Sequence, residues 1–271
     1  MADTDPADPN RPFDAALVGG DLSRGEAAVE AAGGRVVARL RWGEALGALE
    51  TGPVLVVEAE GADEALLAGA LPEVAQAADA FRLAVVAAFD RLSIDVVAAN
   101  LWGPRVELLV EPDLPERAAA LADAAEMGDL ADAPAAVREG DAAAGFLPEA
   151  REPEDAEADA AAIRRAIRAR RLRSAFFAPE LFADPAWDML LDLYAAELEG
   201  APVSVSSLCI AAAVANTTAL RWIARMVEEG LFLRQPDPGD RRRAFMTLTP
   251  TARAGMRAYM DGVGRGGLVP G

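Results

Sequence analysis

The chain has 271 residues, room for one or two domains, and sets 44 acidic against 26 basic side chains for a formal net charge of −18. Every basic residue is Arg, which excludes an imidazole base, a Lys Schiff base and a Walker-type lysine. A single Cys excludes an intrachain disulfide and a Cys-based zinc cluster.

Residues Met1 to Asn10 hold three Asp and no apolar core, so they are not expected to act as a signal peptide. No apolar run of membrane-spanning length follows, and a cytoplasmic protein without metal or cofactor is expected. From residue 14 to 127 short apolar runs alternate with amphipathic stretches. The strand candidates are Ala15–Gly19, Arg35–Leu40, Pro53–Val57, Leu83–Phe89 and Arg105–Val110. The helix candidates are Arg24–Ala32, Trp42–Leu49, Ala62–Phe81, Arg91–Leu101 and Leu114–Met127. Continuous apolar strands alternating with helices predict an α/β, flavodoxin-like domain over residues 12–127, a five-stranded parallel sheet with its ligand edge at the carboxyl ends of the strands. Gly19-Gly20-Asp21-Leu22-Ser23-Arg24-Gly25 reads either as a phosphate cradle or as a plain strand-to-helix turn with Ser23 near the cap. Trp42, Leu46, Leu49, Leu101 and Trp102 either pack on the sheet or form a dimer face.

The last unit, Leu108-Leu109-Val110-Glu111-Pro112 followed by Leu114-Pro115-Glu116-Arg117, resembles the final strand and helix of a response-regulator receiver domain. The resemblance implies that Gly19 and Gly20, with only Asp21 nearby, stand where receivers keep a magnesium-binding acidic pair. It places Glu58 at the phosphoacceptor position, Ala87 or Ala88 at the hydroxyl position, and Glu111 in place of the phosphate-pairing Lys. One carboxylate holds magnesium poorly, and Glu111 would repel a phosphoryl group. A degenerate receiver that is not phosphorylated is expected. Glu58 is then a standing mimic of the phosphorylated state or an ordinary strand-end carboxylate.

Residues 128–158 are rich in Ala, Asp, Glu, Pro and Gly and hold few large apolar side chains. They read as a flexible acidic linker with a short helix at 133–139. A basic helix is predicted over Ala161–Phe177, with Ile163, Ile167 and Leu172 on its apolar stripe. Asp184 and Pro185 start the next helix, which runs to about Leu198 and buries Trp187, Met189, Leu190, Leu193 and Tyr194. Gly200 and Pro202 end it. A short helix Val205–Ala211 capped by Ser204, a turn, a longer helix from Asn216 to Glu229, extended runs Leu231–Arg234 and Ala244–Leu248, and a last helix from Pro250 to about Met260 follow. That order predicts a second, mainly α winged helix-turn-helix domain over 159–265.

Within it, Glu229-Gly230-Leu231-Phe232, Asp237-Pro238-Gly239-Asp240-Arg241-Arg242 and Leu248-Thr249-Pro250-Thr251-Ala252-Arg253 resemble the MarR family of transcription factors over residues 184–256. The resemblance implies a homodimer on double-stranded DNA. The longer helix sets Ala219, Trp222, Ile223 and Met226 toward the core. Its polar face offers Asn216, Thr217, Thr218, Arg221 and Arg225 to bases and phosphates. Arg241, Arg242 and Arg243 sit at the wing tip for the minor groove, and the family's Asp–Arg step implies that one of them pairs with Asp240 to brace the hairpin. Ser206 and Ser207 are phosphate donors, and Ser204 is either a third or a cap. Cys209 reads as packing rather than as a redox sensor.

Charge divides the same way. Residues 1–160 hold 11 Arg and 33 acids, net −22, and residues 161–271 hold 15 Arg and 11 acids, net +4. Since fields are screened within about 10 Å at physiological salt, the acidic total does not exclude DNA. The resemblance implies that the 161–173 helix stands in for the family's first dimerisation helix; its six Arg equally face DNA flanks or pair with the acidic linker. Two functions are carried forward: a sequence-specific transcription regulator with a pseudo-receiver module, and a protein-interaction adaptor whose winged helix does not bind DNA.

Overall fold

A computed structural model of the chain describes residues 13–44, 54–129, 153–172 and 184–266. It divides into two compact units, Met1–Ala135 and Ala136–Gly271.

The first unit is a five-stranded, all-parallel sheet in the order β2-β1-β3-β4-β5, built from β1 (Asp14–Gly19), β2 (Arg35–Leu40), β3 (Val54–Glu58), β4 (Ala84–Phe89) and β5 (Val106–Val110). β3 and β4 are buried along their whole length, as strands covered on both faces must be. β2 is an edge strand: Arg35, Val37 and Arg39 alternate outward, and Arg35 grips Asp14 of β1 through two bonds of 2.9 Å. Helices α1 (Ser23–Ala31), α2 (Glu64–Phe81), α3 (Ile94–Asn100) and α4 (Leu114–Asp129) connect and follow the strands. α1 and α4 pack together, as do α2 and α3. The Asp63 carboxylate caps α2 by accepting from Leu66 N at 2.8 Å. At α1 the bond that holds the turn is Ser23 N donating to Asp21 Oδ1 at 3.0 Å. Ser23 is therefore the first helical residue, not the cap.

Other expectations change here. Residues 42–44 form a turn, with Gly43 in the left-handed region at φ 84°, so the predicted helix does not start at Trp42; residues 45–49 lie outside those described, as do the predicted linker helix at 133–139 and residues 173–177 of the basic helix. Leu101 is 1% exposed and cannot serve a dimer face. It packs instead where α3 ends.

The second unit contains α5 (Pro153–Leu172), α6 (Pro185–Glu199), α7 (Val205–Ala211), α8 (Asn216–Glu228) and α9 (Pro250–Gly266), with a three-stranded antiparallel sheet of order β6-β8-β7. Its strands are β6 (Val203–Ser204), β7 (Phe232–Pro236) and β8 (Ala244–Leu248). α5 begins at Pro153, inside the stretch read as linker. A Pro followed by Glu154 and Asp155 is a favourable helix start even in an acid-rich segment. Ile163 and Ile167 are buried against α6, but Leu172 is 62% exposed, because five residues past Ile167 it lies about 140° round the helix from that stripe. On α6 the buried residues are Met189, Leu191, Leu193 and Tyr194, with Trp187 and Leu190 half-buried. Trp187 instead meets Tyr259 of α9 edge-on, ring centroids 4.6 Å apart.

Candidate nucleic-acid interface

α7 and α8 are joined by the turn 212–215 and cross at 108°, within the range of DNA-binding helix-turn-helix pairs. The turn bends through Ala213 at φ 55°. Ser204 starts α7, its hydroxyl accepting from Ser207 N at 3.2 Å. The same hydroxyl lies 2.9 Å from Ser206 Oγ and donates to Ser207 Oγ at 3.1 Å. The two serines named as phosphate donors are thus tied into a cap, Ser207 at the surface and Ser206 half-buried. Cys209 is buried among the packing residues of α7.

α8 buries Ala219, Leu220, Ile223 and Met226. Trp222 was expected in that set, and Leu220 takes the place. The hundred-degree step of the helix puts 222 at the boundary of the buried stripe, where Trp222 is half-buried. Thr218, Arg221 and Arg225 are exposed, one above the other at intervals of three and four residues, while Asn216 and Thr217 are half-buried in the first turn. The Arg225 guanidinium lies 5.4 Å from the centre of the Trp222 ring, a cation–π contact that directs it along the helix. Glu228 and Glu229 close the helix with negative charge, so the face suited to an anionic polymer is its N-terminal three turns.

Gly230, at φ 67°, turns the chain into β7, and Leu231 N donates to the Met226 carbonyl at 2.9 Å. Recognition-helix candidate and wing therefore share one scaffold. β8 alternates: Ala244, Met246 and Leu248 face inward. β6, a strand absent from the sequence reading, pairs Val203 with Met246 and Ser204 with Phe245, fixing the wing to the start of α7.

The wing tip is organised by two aspartates. Gly239 N donates to Asp237 Oδ1 at 2.8 Å. Asp240 accepts from Arg242 three times, from its backbone N at 3.0 Å and from Nε and Nη2 at 2.9 and 3.0 Å. Arg243 lies 3.7 Å from the other Asp240 oxygen. Arg242 is thus the brace, and Arg241 and Arg243 are the exposed cations beside it. The Arg242 side chain and amide together hold the Asp240 carboxyl down to about 2. Because that folded value is depressed, the brace is complete above the ordinary Asp value of 3.8 and is lost as pH falls through about 2. We expect an NMR titration of Asp240 to show this low midpoint, and Arg242→Ala to return it toward 3.8.

Glu58 belongs to the first unit. It ends β3 at 4% exposure, and Arg117 of α4, 3% exposed, donates Nη1 to both of its oxygens at 2.7 and 2.8 Å. Arg117 Nη2 reaches Glu60 Oε2 at 2.5 Å and its Nε the Pro112 carbonyl at 3.3 Å. Arg24 donates to the same Glu60 oxygen at 2.8 Å. Gly19 and Gly25 make the space: a Cβ on Gly25 would stand 2.8 Å from Glu58 Oε1, and one on Gly19 2.5 Å from the Glu58 carbonyl oxygen. Burial pushes the Glu58 carboxyl up, against the pull of Arg117. Glu111 stands apart at the surface, facing Arg91 at 3.8 Å. Arg117 was missed as a site residue, although the sequence carries its signal: it shares a helical stripe with Ala120, Leu121 and Ala124, all buried, and an Arg on an apolar stripe needs a buried partner.

Among the described residues, no group of three or more acidic or Cys side chains is placed to hold a metal ion, and no single helix is long and apolar enough to cross a membrane. No protein-family model matches the chain, and no curated protein matches it in sequence. Among solved structures it is similar to heme-free PefR (17% identity, TM-score 0.23), over 33% of this chain and 77% of that one. It is also similar to the transcriptional regulator Tm0710 from Thermotoga maritima (23% identity, TM-score 0.24), over 38% of this chain and 63% of that one. The chain thus spans less than two thirds of Tm0710.

Proposed function

We propose that this protein is a cytoplasmic, non-enzymatic, sequence-specific transcription regulator that binds double-stranded DNA as a homodimer. Residues 159–265 form its MarR-like winged helix-turn-helix and residues 12–127 a flavodoxin-like, receiver-like module, with 128–158 between them. The observation that carries the reading is the exposed row Thr218, Arg221 and Arg225 on α8, set at 108° to α7 and fixed to a wing whose Arg242–Asp240 brace leaves Arg241 and Arg243 at its tip. Arg221 is suited to a guanine edge, Thr218 to a thymine methyl or phosphate, Asn216 to adenine, and Thr217 to the backbone. The wing arginines suit the minor groove. The −22 segment lowers non-specific affinity by repelling DNA. Anisotropy titration of a mixed-sequence duplex tests the reading: affinity falls steeply with salt if the cationic face meets phosphates, and a protein that does not bind at any salt refutes it.

The receiver-like module acts without phosphoryl transfer. Glu58 already has its charge balanced by Arg117 inside the fold, and Glu111 offers no cation to a phosphoryl group. Incubation with an acyl-phosphate donor and magnesium is expected to leave the intact mass unchanged. Stoichiometric gain of one phosphoryl group would overturn the assignment.

A further inference from the structure

We infer that the outward face of α5, carrying Arg165 and Arg168, is a second DNA-backbone surface that grips phosphates beside the segment read by α8. This rests on the DNA-binding reading above and extends it to a helix that the reading does not use.

The arginines of α5 are sorted by the fold into two sets. Arg164 and Arg170 face α6 and are consumed there. Arg164 Nη1 donates to Asp192 at 2.5 Å and Nη2 to Glu199 at 2.8 Å. Arg170 Nε donates to Asp188 at 2.8 Å, with Asp184 at 3.9 Å. Pairing with Glu199 raises the affinity of Arg164 for its proton. The acids of α6 are thereby committed inward.

Arg165 and Arg168, one helical turn apart, are exposed. Their helical neighbours at three and four residues are Ala161, Ala162, Arg164, Ala169, Arg171 and Leu172, besides each other, so α5 itself supplies neither with a carboxylate. Arg165 and Arg168 make no ion pair with any described residue. The basic end is also placed where DNA would be. Arg171 Nη2 donates to the carbonyl of Ala211 at 3.4 Å, and Ala211 is the last residue of α7, separated from the first turn of α8 by residues 212–215. The C-terminal turns of α5 therefore abut the helix-turn-helix corner. Two guanidiniums one turn apart along the helix match two successive phosphates of one strand, which rise about 3.4 Å each. Such contacts add affinity without reading sequence.

The test compares the full-length wild type with Arg165→Ala/Arg168→Ala and, separately, Arg221→Ala, on a mixed-sequence DNA duplex across a salt series. Both α5 substitutions are at exposed positions, and circular dichroism checks that the helix persists. With two phosphate contacts removed, the slope of log affinity against log salt is expected to shrink by about 1.8, so the loss between 50 and 200 mM salt falls by roughly tenfold. A double variant whose slope equals that of the wild type, or whose affinity rises because the face had held the acidic segment 128–158, overturns this surface while leaving the α8 reading in place. A wild type that does not bind the duplex removes both.

Discussion

Replacing Arg117 by Ala is expected to destabilise the first unit by about 3–5 kcal/mol, the cost of stripping one partner from a buried ion pair. The substitution leaves the Glu58 carboxylate, 4% exposed, without its hydrogen-bonded cation, and removes the donor that links it to Glu60. The loss has a pH signature. Burial already pushes the Glu58 carboxyl above its ordinary 4.5, and Arg117 is the main force pulling it down. Without Arg117 the folded value rises further, so the folded unit prefers protonated Glu58. The penalty is then small below about 4.5, where the unfolded chain is protonated too, and grows as pH rises through the raised folded value. Urea unfolding of wild type and variant at acid and neutral pH, followed by amide exchange in β3 and β4, measures both. A companion variant, Glu58→Gln with Arg117→Met, keeps volume and removes both charges, and should recover most of the loss. If Arg117→Ala costs less than about 1 kcal/mol at neutral pH, in the range of exposed pairs, the Arg117–Glu58 pair does not hold α4 to the end of β3.

The second large effect concerns the proposed DNA interface. Arg221→Ala should weaken binding to a preferred site by about 1–3 kcal/mol, roughly 5- to 150-fold, and relax preference at one base pair. Arg221 is the position for this because it is exposed in the middle of the row, whereas Arg225 is directed over Trp222. Arg241→Ala should instead lower affinity evenly across sequences or at A·T-rich flanks, because wing contacts sense groove width and charge. An Arg221→Ala protein with unchanged base preference would move the specificity contact elsewhere on α8.

The parallel sheet was legible because β1, β3 and β4 are unbroken apolar runs and the intervening stretches have helical period. Edges were less so: β2 is half-exposed, and the turn at Gly43 depends on a backbone angle that Trp42 and Glu44 do not announce. β6 is two residues long and exists through pairing with β8, a non-local event without local signature. On α8 the periodic residues Ala219, Ile223 and Met226 are buried as expected, while Leu220 and Trp222 flank that stripe on opposite sides and only the Leu220 flank is closed over. The pairing of Asp240 with one of the three arginines was implied by the MarR resemblance, and Arg242 is identified as the partner by geometry. The buried Arg117 is the instructive omission. The receiver resemblance singles out Glu58 at a strand end and Glu111 where receivers keep a Lys, and neither position announces a cation for Glu58. The actual partner comes from the next helix, on an apolar stripe where a charge is informative. The same rule sorts α5: Arg164 and Arg170 fall on the stripe of Ile163 and Ile167 and are paired, while Arg165 and Arg168 fall off it.

The central claim is that α8 and the wing read DNA sequence. Selection of binding sites from random duplex DNA at moderate salt, using the full-length protein, tests it most directly. The account predicts enrichment of a pseudo-palindromic motif whose two half-sites are spaced by about one helical turn, with at least one guanine lost from the consensus when Arg221 is replaced. Recovery of no motif, with affinity independent of salt, would contradict it.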